Sequence, residues 1–138
     1  MSGYDIAQRV IEEEVARVRN VSECLKGLDS SFYPHSLSIL AELCSYDNLI
    51  RDIKDNDAPI RIQKEAIEEL KGRSQSNTIE YAEYVISLAE YYTESGLDDG
   101  DALCEAAMME AFNLLLKLVH SSHPVWASID MLGSILDD

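Results

Sequence analysis

Apolar residues recur along this chain at steps of three and four, the spacing that gathers them on one side of a helix, and they never alternate with polar residues over a useful length. The first stretch, from about Tyr4 to Leu28, sets Ile11, Val18 and Leu25 in one row, with Val21 and Leu28 beside it. Ile6, Val10 and Val15 widen that stripe, and Glu12, Glu13, Arg17 and Arg19 lie on the polar face. Glu14 falls in the row of Val21 and Leu28 and marks the edge of the stripe. After the connector 29–33, Pro34 suits a first helical turn, where a missing N–H is not needed. The second helix then extends to about Lys54 on Leu37, Leu40, Leu43, Cys44, Leu49, Ile50 and Ile53.

The third helix is short, from about Pro59 to Lys71, with Asp57 as N-cap, Ile62, Ala66, Ile67 and Leu70 inward, and Gly72 as a left-handed stop. The fourth begins after Asn77, read as the cap with Glu80 three residues on, and continues to Ser95 before Gly96. A fifth, from about Asp101 to His120, has so thin a polar edge that the pattern makes it the central, most buried helix. Pro124 opens a sixth, in which Val125, Ile129, Leu132 and Leu136 share one face. The expectation is an all-α protein: a compact bundle of about six helices in a single domain over residues 1–138, with a short repeat-like helical array as the variant.

Composition changes this picture in one respect. Twenty-six Asp and Glu stand against 11 Lys and Arg, a formal charge of -15, while 46% of the residues are hydrophobic. That much apolar material builds an interior, so the acid belongs to the surface. Like charge opposes compaction, which points to a basic partner outside the fold. Direct nucleic-acid binding and anionic membranes are disfavoured, because phosphates repel a chain of pI near 4.4. No apolar run is long enough for a membrane span or a signal peptide, which makes the expected location cytoplasmic. Cys24, Cys44 and Cys104, odd in number and set in apolar helical patterns, read as reduced core thiols.

The charge is also uneven. Beyond Arg73 the only base is Lys117, so the C-terminal half carries the stronger negative field. On the fourth helix Glu80, Glu83, Ser87, Glu90 and Glu94 form one stripe, bordered by Tyr84 and Tyr91. Asp98, Asp99 and Asp101 prolong it through the following turn. Tyrosine beside carboxylate is suited to gripping Lys and Arg, since the ring supplies area and the carboxylate pairs with the cation. Neither this turn nor His120 with His123 matches a calcium or zinc ligand order, and no motif calls for a metal, a cofactor or a catalytic role.

The profile resembles that of the small acidic immunity proteins with which bacteria neutralise a cognate toxin, such as those of contact-dependent inhibition and colicin systems. Nuclease colicin immunity proteins use a Tyr-Tyr pair beside acidic residues, and Tyr91-Tyr92 with Glu90 and Glu94 is similar to it, although Thr93 stands where that family has proline. The resemblance implies a non-enzymatic protein that docks its acidic surface over a basic toxin domain, expected to be a nuclease. The rival expectation is a helical adaptor or secretion chaperone that holds a protein segment in an apolar groove. A homodimer stays open on the sequence.

Overall fold

The three-four spacing is realised as helix throughout the residues that the computed structural model describes, 3–51 and 55–120. They form five α-helices and no strand: α1 (Gly3–Gly27), α2 (Tyr33–Ile50), α3 (Asp57–Gly72), α4 (Ile79–Glu94) and α5 (Gly100–His120). The fold is therefore all-α. The expected sixth helix, with Val125, Ile129, Leu132 and Leu136, lies outside the described residues.

Helix ends depart from expectation where a side chain offers the backbone a better partner. Thr78, not Asn77, caps α4: its backbone is extended, and its Oγ1 accepts from the Tyr81 N–H at 3.1 Å. Glu80 consequently sits in the first turn, where its Oε1 accepts from the Tyr84 hydroxyl at 3.0 Å. At α3, Asp57 is already helical, and Asp55 Oδ1 accepts from the Ala58 N–H at 3.1 Å. Gly72 also remains helical. The left-handed residue that ends the segment is Ser74 (φ 60°), and the Gln75 N–H reaches back to the Leu70 carbonyl at 2.8 Å. Gly96, at φ 73°, does turn the chain after α4.

Each helix packs mainly against its neighbours in the chain, α1 on α2, α2 on α3, α3 on α4 and α4 on α5. One hydrophobic cluster joins them: Leu37, Leu40 and Cys44 of α2, Ile62, Ala66, Ile67 and Leu70 of α3, and Ala82, Val85, Leu88 and Ala89 of α4. Withdrawing a side chain such as Leu70 from water stabilises the fold by roughly 2 kcal/mol. Val15, Val18 and Leu25 seal α1 to this cluster, and Leu103, Met108, Leu114 and Leu115 seal α5.

Helix α5 is not the most buried: α3 and α4 each bury more of their residues. Tyr81, Ala82, Tyr84, Val85, Leu88, Ala89, Tyr91 and Tyr92 are all buried in α4, against Gly100, Ala107, Ala111 and Val119 in α5. Apolar content measures what a helix is able to bury, whereas position in the packing order decides what it does bury. Among the described elements α4 is sandwiched between α3 and α5, while α5 rests on α4. The cysteines diverge in the same way, since Cys44 is buried, Cys104 half-buried and Cys24 exposed. No helix among the described residues is long and apolar enough to cross a membrane.

Candidate functional site

Two furrows run between helices that are not neighbours in the chain. One lies between α1 and α3 over Tyr33, Leu37 and Leu40 of α2, with a cavity of about 150 Å³. Its rim mixes Arg19, Lys26 and Arg61 with Glu23 and Glu65, so its charges largely offset one another. The other lies between α2 and α4. It holds a cavity of about 170 Å³ lined by Ser38, Glu42, Ser45, Tyr46, Ser87, Glu90, Tyr91 and Glu94, and a second of about 80 Å³ that shares Ser45, Tyr91 and Glu94 and runs on to Asn48 and Asn56. Among the described residues, this furrow's walls carry carboxylates and hydroxyls and no base.

The helical pitch places Glu90 and Glu94 four residues apart on one wall, and Glu42 and Tyr46 four apart on the other. A hydrogen bond closes the gap: Ser45 Oγ donates to Glu94 Oε2 at 3.0 Å. Tyr46, half exposed, donates its hydroxyl to Glu42 Oε1 at 3.0 Å, which raises the phenol above its usual value. Each carboxylate retains free lone pairs, because a carboxylate accepts about four hydrogen bonds and the described residues supply one each to Glu42 and Glu94. Chemically this is a hydrogen-bond acceptor surface for ammonium or guanidinium groups.

Of the residues singled out from the sequence, Glu80, Glu83, Glu90 and Glu94 are exposed along α4, and Asp98, Asp99 and Asp101 are exposed in the turn after it and the first turn of α5. Of these acids, Glu90 and Glu94 line the furrow. Glu80 and Glu83 stand toward the other end of α4, and the three aspartates continue past its C-terminus. Tyr84 and Tyr91 are a correction: with 6% and 8% of their surface exposed, both rings are buried, and only the Tyr91 ring also borders the furrow. Tyr92 is buried likewise, with Lys64 Nζ 5.7 Å from its ring centroid. Tyr92 is spent on packing α4 against its neighbours, while Tyr91 packs and also lines the furrow. Burial pushes the hydroxyls of Tyr84 and Tyr91 well up from 10.0, with nearby glutamates adding to the effect.

Glu42, Ser45 and Tyr46 were missed by sequence reasoning. Their only signal was their i, i+3 and i+4 relation on the polar side of α2, and nothing in the sequence places that side against α4.

Ion pairs among the described residues join Glu14 to Arg17, Asp47 to Arg51, Asp55 to Arg61, Glu68 to Lys71, and both Asp29 and Glu69 to Arg73. Cys44 is held in its thiol form, because burial pushes its pKa up. Among the described residues no three His, Cys, Asp or Glu side chains are arranged to hold a metal ion. Comparison with protein-family models, with curated proteins and with solved structures returns no match.

Proposed function

We propose that this chain is a non-catalytic, cytoplasmic immunity protein that captures and neutralises a basic toxin domain, of nuclease chemistry, through the α2–α4 furrow and the acidic turn beyond it. One observation carries the reading. Among the described residues, Glu42, Glu90 and Glu94 converge on a furrow whose lining holds no base, and Asp98, Asp99 and Asp101 follow it without an ion pair. Among the described residues Arg17, Arg51, Arg61, Lys71 and Arg73 pair with carboxylates no later in the chain than Glu69.

Fixed like charges in a furrow repel one another, and a partner bearing Lys and Arg relieves that repulsion on docking. The same field speeds encounter, by roughly 10-fold or more for complementary proteins at low salt. A nuclease must present cations to hold a phosphate backbone, so a protein that occupies those cations excludes the substrate. The basic groups enter between Glu42 and Glu90, while the exposed Tyr46 offers its ring edge as the apolar part of the contact.

The test uses the product of the neighbouring coding region as partner, with association followed by stopped flow at rising ionic strength. The rate constant is expected to fall steeply with salt, and Glu90→Lys with Glu94→Lys should abolish the salt dependence and the protection of nucleic acid. A rate indifferent to both would refute the assignment.

A further inference from the structure

Helix α1 faces α2 with Val15, Val18 and Leu25, and turns Arg19, Glu23 and Lys26 toward the α3 furrow. On its opposite flank runs a second row: Ala7, Val10, Glu14, Arg17, Val21, Cys24 and Leu28, at alternating steps of three and four residues. That is the a/d spacing of a coiled-coil seam, sustained over three heptads. The seam is open, with Val10, Val21 and Leu28 exposed to 52%, 47% and 77%, and Ala7 and Cys24 exposed beside them. Its middle is polar, where Arg17 grips Glu14 through Nε to Oε1 at 3.0 Å and a second guanidinium nitrogen to Oε2 at 2.6 Å.

The order of residue types along this row reads symmetrically about its centre. Stepping outward from the point between Val15 and Ala16, Glu14 is matched by Arg17, Val10 by Val21, and Ala7 by Cys24. We propose that the row is the interface of an antiparallel homodimer, in which α1 of one copy lies against α1 of a second about a two-fold axis at that point.

A two-fold interface requires a surface that complements its own reverse, and this row does so in both charge and size. Glu14 of each copy meets Arg17 of the other, so the two internal ion pairs become one closed ring of four alternating charges. Val10 covers Val21 on either side of the ring, and Ala7 leaves room for Cys24. A parallel pairing would set Glu14 against Glu14 and Arg17 against Arg17, which like-charge repulsion opposes. The seam is net neutral, so the net charge of -15 on each copy is not concentrated where the copies meet. Helix α1 offers ample length, since 25 residues span about 37 Å at 1.5 Å per residue. The inference does not depend on the proposed toxin partner, because none of its residues lines the α2–α4 furrow.

Light scattering or sedimentation equilibrium on the full chain tests it. The mass is expected to rise with concentration from 15.5 kDa toward twice that value. Val21→Glu should hold the chain at monomer mass with unchanged helical circular dichroism, since this exposed side chain takes no part in the internal core. Glu14→Arg alone and Arg17→Glu alone should each be monomeric, and an equimolar mixture of the two should recover the dimer, because each variant then supplies the charges the other lacks. A chain that stays monomeric at every concentration, or a dimer indifferent to Val21→Glu, overturns the proposal. Failure of two folded charge variants to associate when mixed overturns the antiparallel register.

Discussion

Gln63 is wholly buried where α3 meets α4, and only half of its amide is satisfied: Nε2 donates to the Tyr84 carbonyl at 3.0 Å, while Oε1 finds no donor among the described residues. Gln63→Met keeps nearly the same length and volume and removes both polar atoms. Relieving a buried acceptor without a partner returns roughly 1–3 kcal/mol, and losing the Nε2 hydrogen bond costs about 1 kcal/mol. The Tyr84 carbonyl is not orphaned by the change, because it lies inside α4, where the N–H four residues on already reaches it. The balance is a gain of about 1 kcal/mol, a rise of about 4 °C in the melting midpoint for a chain of this size. Urea denaturation of the two proteins, compared at equal m-value, measures it directly. A loss of 1 kcal/mol or more would refute the reasoning, and would show that Gln63 specifies the α3–α4 register through a satisfied amide.

Other consequences are open to the same kind of measurement. A methyl group placed on Gly100 would sit 2.6 Å from the Tyr92 carbonyl oxygen, so Gly100→Ala is expected to lower stability by about 1–3 kcal/mol, and an unchanged denaturation midpoint would show that the α4–α5 turn yields freely. Thr78→Ala removes the α4 cap and should cost about 1 kcal/mol in the same assay, with Thr78→Ser recovering most of it. Burial and the hydrogen bond to Glu65 raise the Tyr33 hydroxyl from 10.0 to about 12, so the unfolded chain loses this proton first. That contribution is intact below pH 10 and drains away as pH rises toward 12, and Tyr84 and Tyr91, shifted in the same direction, steepen the decline. A denaturation series across that window should show the fall, flattened in Tyr33→Phe; a level profile would contradict it. Glu90→Gln, by easing repulsion with Glu42 and Glu94, should raise the midpoint of the free protein at low salt while slowing capture of a basic partner, and a lowered midpoint would mean that the furrow carboxylates are not in conflict.

Much of the fold was legible because helix formation and one-sided burial are both written in local spacing. Ile62, Ala66, Ile67 and Leu70 were placed inward from their spacing alone, and all four are buried. The ends were less legible. Asn77 and Thr78 are both good caps, and Gly72 and Ser74 both stand where a helix must stop, so the choice fell to the backbone path that tertiary packing imposes. The candidate site was legible by halves. Glu90 and Glu94 follow from one helix, whereas Glu42, Ser45 and Tyr46 reach them from residues some 45 to 50 positions earlier, through a contact that no local pattern encodes.

The sequence by itself determined an all-helical chain with an apolar interior and a negative surface, because periodicity and net charge are properties of residue order and residue count. Tertiary structure decided where each aromatic and each carboxylate is used. Tyr84, Tyr91 and Tyr92 have an apolar body and a polar tip, and the position of α4 between α3 and α5 drew their rings into the core. The same packing set α2 and α4 on either side of one furrow, bringing two separate acidic edges to face each other, since a charge's neighbours across space are fixed only when the helices that carry them are placed.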